Sequence, residues 1–269
     1  VVPLTVMTRP SFSVPICPDI AAFAGAMPTG GSQDTASEQL DGDWFDGKAL
    51  FYVRSDTLGF SIPSGTIAIV EAEPYPGRDR NLVIARHRGN VLARRLVKAP
   101  GSLGISLAAL TPDPRNPRPT MTYDESKVRL YRIVGAIFTD MPPPPAGSGE
   151  ATPVDAVPEL TRIDVAYRVR EDSAIPLALP GQVILGGSEL SPSDLDAWEG
   201  KLVALTLHDG TSIFKRVGTR LSGNFAQLRQ FETIGGLGSS MVIATETIDD
   251  KASAPVMASA RRVLGVLYE

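Results

Sequence analysis

The chain has 269 residues, of which 43% are hydrophobic and 21% are charged, and its formal net charge is −4. This composition is typical of a globular protein, and the negative charge excludes a general basic surface for nucleic acid. The single cysteine, Cys17, excludes an internal disulfide and is typical of a reducing compartment such as the cytoplasm.

The chain divides into four stretches of different composition. Residues 1–45 are irregular and rich in proline, which predicts an extended arm. Residues 46–140 contain short runs of Val, Ile, Leu, Tyr and Phe separated by Gly, Pro and Asp, as in half-buried β-strands. Residues 141–159 include four consecutive prolines and predict a semi-stiff linker. Residues 160–269 return to the strand pattern, with a short helix predicted at 191–198. We therefore expect a mainly β fold, with two β domains joined by a Pro/Gly-rich linker.

The two predicted domains carry the same sequence pattern. Residues 57–65 (Thr-Leu-Gly-Phe-Ser-Ile-Pro-Ser-Gly) recur as residues 173–181 (Ser-Ala-Ile-Pro-Leu-Ala-Leu-Pro-Gly), with the glycine at the ninth position in both. Further apolar segments follow in the same order, ending in residues 133–137 (Ile-Val-Gly-Ala-Ile) and 263–267 (Val-Leu-Gly-Val-Leu). A repeat of this length predicts two related domains rather than a solenoid. We call the two copies repeat 1 and repeat 2.

Two differences between the repeats concern catalysis. Repeat 2 has Ser173 and Lys215 where repeat 1 has Thr57 and Arg94. A serine becomes a nucleophile when a base takes its proton, and lysine can be that base when burial lowers its pKa. On spacing alone, a turn serine and a solvated lysine would be the more common outcome. The repeat favours the catalytic interpretation because it places both residues at corresponding points of one module.

These segments resemble a known family. Residues 172–176 (Asp-Ser-Ala-Ile-Pro), 214–217 (Phe-Lys-Arg-Val) and 264–266 (Leu-Gly-Val) are similar, in this order, to motifs of the self-cleaving LexA-type (S24) peptidase domain. The resemblance covers about residues 20–138 and 160–269. It implies a compact β fold in each repeat.

The resemblance implies a role for each matching residue. Ser173 corresponds to the nucleophile and Lys215 to the general base. The backbone amides at this turn, those of Asp172 and Ser173, could supply an oxyanion hole. Two positions depart from the family pattern, because Ala174 replaces a methionine and Gln182 replaces an aspartate.

Repeat 1 is predicted to be catalytically inactive. Arginine stays protonated at ordinary pH, so Arg94 cannot act as a general base. We interpret Thr57 and Arg94 as a degenerate site in which a polar turn hydroxyl is paired with a cation.

The family cuts an Ala–Gly or Cys–Gly bond upstream of its nucleophile, and two Ala–Gly bonds have suitable positions here. Ala24–Gly25 follows an apolar approach that suits an extended strand entering a cleft. Ala146–Gly147 directly follows the four prolines and is more typical of a linker. Ala24–Gly25 is the preferred candidate, and its cleavage would need the Ser173 site of repeat 2, either in the same chain or in a partner subunit.

The resemblance implies the regulatory part of a LexA-like transcriptional repressor. Such a protein would form a homodimer and would bind DNA only through a helix-turn-helix domain located before Val1. A non-catalytic scaffold for dimerisation and effector sensing is the alternative. A signal-peptidase-like enzyme is a third possibility, but it would need a membrane anchor, and no apolar run of spanning length is visible. We expect no cofactor and no metal, since His87 and His208 lack further ligands at metal-binding spacing.

Overall fold

The structure of the chain is a computed structural model. It describes residues 4–20, 38–77, 80–97, 104–110, 118–145, 149–170, 174, 177–234, 240–246 and 254–268. Its secondary structure is mostly β-strand, which confirms the predicted fold class.

Most of the described residues lie in strands. In chain order the strands are β1 (Ser13–Ile20), β2 (Gln39–Asp41), β3 (Lys48–Val53), β4 (Thr66–Glu71), β5 (Leu82–His87), β6 (Asn90–Val97), β7 (Gly104–Ala108), β8 (Met121–Asp124), β9 (Arg129–Phe138), β10 (Ala151–Val154), β11 (Val165–Val169), β12 (Val183–Leu190), β13 (Leu202–Leu207), β14 (Ser212–Arg220), β15 (Leu228–Glu232), β16 (Met241–Ala244) and β17 (Met257–Leu267). The predicted short helix is confirmed as α1 (Asp194–Ala197), before which the Ser191 hydroxyl accepts a hydrogen bond from the Asp194 amide at 3.3 Å.

The chain forms two compact units. Unit 1 comprises Val1–Phe12, Asp41–Thr161 and Gly265–Tyr268, and unit 2 comprises Ser13–Leu40, Arg162–Leu264 and Glu269. Each unit therefore contains most of one repeat plus a short segment from a distant part of the chain.

Unit 1 is built from antiparallel strand pairs. Strand β3 pairs with β4, and β4 pairs with the second half of β9. The first half of β9 pairs with β5, which continues through β6 and β7 to β8. The apolar side chains of these strands form two buried clusters, one around Phe51 and Tyr131 and the other around Leu96 and Leu107.

Unit 2 repeats this order of neighbours. Strand β11 pairs with β12, and β12 is a neighbour of β17. Strand β17 pairs with β13, which continues through β14 and β15 to β16. The sequence repeat thus corresponds to a structural repeat, strand for strand.

Three strands lie where the sequence predicted irregular structure. The predicted linker, residues 141–159, contains β10, which pairs antiparallel with β3. The predicted N-terminal arm, residues 1–45, contains β1, which pairs parallel with β11, and the short strand β2. Strands β1 and β10 contain proline, which lacks an amide donor and is tolerated where its nitrogen faces away from the neighbouring strand. Proline content therefore does not exclude strand pairing in these segments.

Candidate functional site

Lys215 is buried in the middle of strand β14. It pairs with Val203 of β13, and its neighbour Phe214 is fully buried. Only 8% of the Lys215 surface is exposed. The apolar segment predicted from sequence therefore forms a strand that carries its lysine into the core of unit 2.

The Lys215 amine has a neutral hydrogen-bond partner. Its Nζ donates to the Thr233 hydroxyl at 2.9 Å. Among the described residues, no carboxylate forms an ion pair with Lys215. Burial lowers the pKa of Lys215 from its ordinary value of 10.5, because the charged form loses hydration on leaving water. This is the electrostatic setting that a lysine general base requires.

The proposed nucleophile lies outside the described residues. Ser173 and Asp172 are not among them, and neither are the bonds Ala24–Gly25 and Ala146–Gly147. Next to Ser173, Ala174 is fully buried, and its carbonyl accepts the amide of Leu177 at 2.8 Å.

The turns that follow Thr57 and Ser173 close in the same way. Gly65 and Gly181 both have positive φ, +88° and +89°, a conformation that favours glycine. The Gly65 amide donates to the Val53 carbonyl at 2.9 Å, and the Gly181 amide donates to the Val169 carbonyl at 2.7 Å. The repeated glycine thus fixes an equivalent turn at the end of β3 and of β11.

Arg94 occupies in unit 1 the position that Lys215 occupies in unit 2. Arg94 pairs with Val83 of β5, as Lys215 pairs with Val203 of β13.

The backbone bonds two residues further along each strand also correspond. The amide of Leu96 donates to the Asn81 carbonyl, and the amide of Val217 donates to the Lys201 carbonyl. The equivalence extends to Arg80 and Gly200, whose amides donate to Leu96 and Val217 and whose φ values are both positive. The strand register therefore makes Arg94 and Lys215 counterparts.

The partner of Arg94 is a carboxylate. Arg94 is 2% exposed, and its guanidinium binds Glu150 through two hydrogen bonds, Nε to Oε2 at 2.9 Å and Nη2 to Oε1 at 2.5 Å. A third donor, Nη1, lies 3.3 Å from the Pro119 carbonyl. The Thr57 hydroxyl is also buried, and it shares a hydrogen bond of 2.8 Å with Ser55. The expected pairing of Thr57 with the cation is therefore wrong, since a buried guanidinium is better compensated by a full negative charge.

Sequence reasoning missed the partners of both Arg94 and Lys215. Glu150 lies in the segment predicted as linker, and its backbone amide donates to the carbonyl of Val91 in β6 at 2.7 Å. Thr233 follows β15. The register of β7 on β6 makes Ala109 the residue of unit 1 that corresponds to Thr233. A buried cation signals that some acceptor must be near, but only the strand pairing shows which one.

The other candidate residues do not assemble into a site. Burial raises the pKa of the half-buried Cys17 thiol, which disfavours the reactive thiolate. The His87 ring packs against Tyr123 with centroids 4.7 Å apart. Across the described part of the chain, three or more potential metal-ligating side chains nowhere converge. In that same part, the helical segments are too short or too polar to traverse a bilayer.

Comparison with known proteins adds no identification: no family model matches the chain, and no curated protein matches it. The class that the structure defines is a mainly β protein with an internal repeat and a buried lysine in repeat 2 that has no described counter-charge. Such an amine can accept a proton from an adjacent hydroxyl, which a permanently charged arginine cannot do.

Proposed function

We propose that repeat 2 is a Ser–Lys peptidase module of the LexA type that cuts its own chain at Ala24–Gly25. The observation that carries this proposal is the burial of Lys215 with a hydroxyl, and no carboxylate, as its described partner. Repeat 1 is a non-catalytic copy, since an arginine cannot serve as a general base and the Arg94 guanidinium is bound by the Glu150 carboxylate.

The chemistry is a two-step acyl transfer. The neutral Lys215 amine takes the proton of the Ser173 hydroxyl, and the Ser173 oxygen attacks the carbonyl carbon of Ala24. The tetrahedral intermediate then expels the Gly25 amine, which receives the proton from the Lys215 ammonium. Water hydrolyses the resulting ester, which leaves a carboxylate at Ala24 and restores the Ser173 hydroxyl.

Strand β1 supports Ala24–Gly25 as the substrate bond. It runs parallel to β11, and Ile20 pairs with Val169. Ala24 follows Ile20 by four residues, and Ser173 follows Val169 by four residues. Parallel strands run in the same direction, so β1 and β11 end at the same edge of unit 2, and Ala24 and Ser173 are each four residues beyond this last pair. This equal spacing favours cleavage within one chain over cleavage by the Ser173 site of a partner subunit.

The biological setting follows from the resemblance. A self-cleaving module of this type would regulate a transcriptional repressor, with DNA bound by a separate helix-turn-helix domain. The chain itself is acidic overall, so its own surface is not the proposed DNA-binding element.

Self-cleavage is tested by incubating the purified chain at pH 7 and pH 10 and sequencing any new N-terminus. We expect a new N-terminus at Gly25, formed faster at pH 10 because more of the Lys215 amine is neutral. Ser173→Ala should abolish the product, whereas the matched change in repeat 1, Thr57→Ala, should retain it. If the unsubstituted chain and Ser173→Ala both keep their full intact mass after long incubation, the result would instead favour the non-catalytic scaffold.

A further inference from the structure

The last part of strand β17 pairs with its own counterpart in repeat 1. These residues run antiparallel to β9, with Gly265 opposite Ile137, Val266 opposite Ala136 and Leu267 opposite Gly135. Both segments belong to unit 1.

This register is reciprocal. In the sequence repeat, Gly135 corresponds to Gly265, Ala136 to Val266 and Ile137 to Leu267. Each glycine therefore faces the last residue of the other repeat's segment, and the two central residues, Ala136 and Val266, face each other. Two identical strands related by a two-fold axis pair in this same way.

The backbone contacts are reciprocal as well. A side chain on Gly265 would place its Cβ 2.4 Å from the Ala136 carbonyl oxygen, and one on Gly135 would lie 2.9 Å from the Val266 carbonyl oxygen. Each glycine thus admits the carbonyl of the residue that follows the other glycine. The glycine shared by both closing strands is explained by this mutual close approach.

The edge of β9 that β17 covers has no room for another strand. On its other side, Ala136 pairs with Ala68 of β4. Ala136 and Val266 are fully buried. Beyond the paired segment, Tyr268 donates its amide to the Val134 carbonyl at 2.8 Å and its hydroxyl to the Ser61 carbonyl at 3.1 Å. These bonds hold Tyr268 in place.

We infer that this pairing is an internal two-fold contact, in which the two repeats of one chain supply the two strands that two copies of a single repeat would exchange. The partner that fits this edge is therefore the chain's own other repeat, and the protein is a monomer. This inference replaces the homodimer expected from the resemblance, and it does not depend on Ser173 or on cleavage.

A disulfide across the central pair tests the inference. The variant Ala136→Cys/Val266→Cys is made in a Cys17→Ser background, and facing residues on adjacent strands meet the distance that a disulfide needs. We expect an oxidised species of monomer mass, 28.6 kDa, whose digest contains one peptide pair cross-linked through the two introduced cysteines. The matched control Ala68→Cys/Val266→Cys should stay reduced, because Ala68 lies one strand further away, on the order of 10 Å from Val266.

Two outcomes would overturn the inference: a disulfide-linked dimer of the first variant, or a first variant no more oxidised than its control. A second measurement uses the unsubstituted chain and therefore does not depend on whether a variant folds. Light scattering at micromolar concentration should give the monomer mass, and a stable dimer would equally contradict the inference.

Discussion

Arg94 and Lys215 occupy the same strand register, yet Arg94 is bound by the Glu150 carboxylate and Lys215 by the Thr233 hydroxyl. The two repeats can therefore be compared directly, because the same strand position holds a different cation with a different partner in each. A carboxylate stabilises a permanent charge, whereas a hydroxyl can hold either form of an amine.

Glu150→Gln should strongly destabilise unit 1, since it leaves the buried Arg94 guanidinium without a counter-charge. We expect a loss of about 3 kcal/mol in the free energy of unfolding, measured by urea denaturation. The matched control is Glu71→Gln, which breaks the exposed ion pair with Arg132 and should cost less than about 1 kcal/mol. The double variant Arg94→Met/Glu150→Met should recover much of the loss, because it removes both buried charges. Equal effects of Glu150→Gln and Glu71→Gln would show that the Arg94–Glu150 pair has no special role.

Lys215 should make stability depend on pH in one direction. The unfolded chain binds the Lys215 proton more tightly than the folded chain, because burial lowers the folded pKa below 10.5. Stability should therefore rise with pH between the folded pKa and 10.5, and this contribution should be lost as pH falls through the folded pKa. Lys215→Met should remove that rise and be as stable as the unsubstituted chain at pH 7, or more stable by up to about 2 kcal/mol. Denaturation curves from pH 6 to 11 measure this.

The exposed lysine Lys127, which lies beside Asp124, serves as the control. Lys127→Met should leave the rise with pH intact. A rise that survives in Lys215→Met would assign the pH dependence to another group.

Thr233 should position the Lys215 amine. Thr233→Val removes the hydroxyl acceptor, so the charged amine loses its hydrogen bond and the pKa of Lys215 should fall further. Thr233→Ser keeps the hydroxyl and should restore the original pKa. NMR titration of the lysine methylene carbons measures this value directly, whether or not the chain cleaves itself.

The Thr233 variants also separate position from protonation. If Lys215 is the general base, Thr233→Val should lower the maximal cleavage rate by about tenfold or more, because the amine is no longer directed. Thr233→Ser should stay within about threefold of the unsubstituted rate on the same grounds. A purely structural threonine would alter the unfolding free energy while leaving the titration of Lys215 unchanged.

A side chain on either glycine of the internal two-fold contact should destabilise the protein. Gly265→Ala forces a Cβ against the Ala136 carbonyl and should cost about 1–3 kcal/mol of stability. Gly135→Ala should cost less, since its Cβ would lie 2.9 Å from the nearest carbonyl oxygen rather than 2.4 Å. Ser259→Ala, on the partly exposed part of the same strand, is the control and should be nearly neutral. Thermal unfolding should show the largest loss of stability for Gly265→Ala and the smallest for Ser259→Ala. Any other order would contradict the reciprocal contact.

Much of the fold could be predicted from the sequence, because its core strands are continuous apolar runs. Strands β4, β5 and β13 are of this kind, and the repeat that they form is visible in the order of the residues alone. The strands β1 and β10 could not be predicted, since their partners β11 and β3 lie more than 90 residues away and their prolines suggest irregular chain.

The candidate site was predictable only in part. The repeat identified Lys215 and Arg94 as counterparts, and the strand register places them so. Their partners were not predictable, because a buried arginine could in principle have met any of 30 acidic side chains. Which carboxylate approaches depends on β10 pairing with β3, and no local pattern records that pairing.

The pH dependence of the rate at which Gly25 becomes a new N-terminus tests the central claim most directly. The account predicts a rate that rises with pH and levels off, with a midpoint below 10.5 that equals the pKa of Lys215 measured by NMR. No Gly25 N-terminus at any pH, or a midpoint that persists when Lys215 is replaced by methionine, would contradict it.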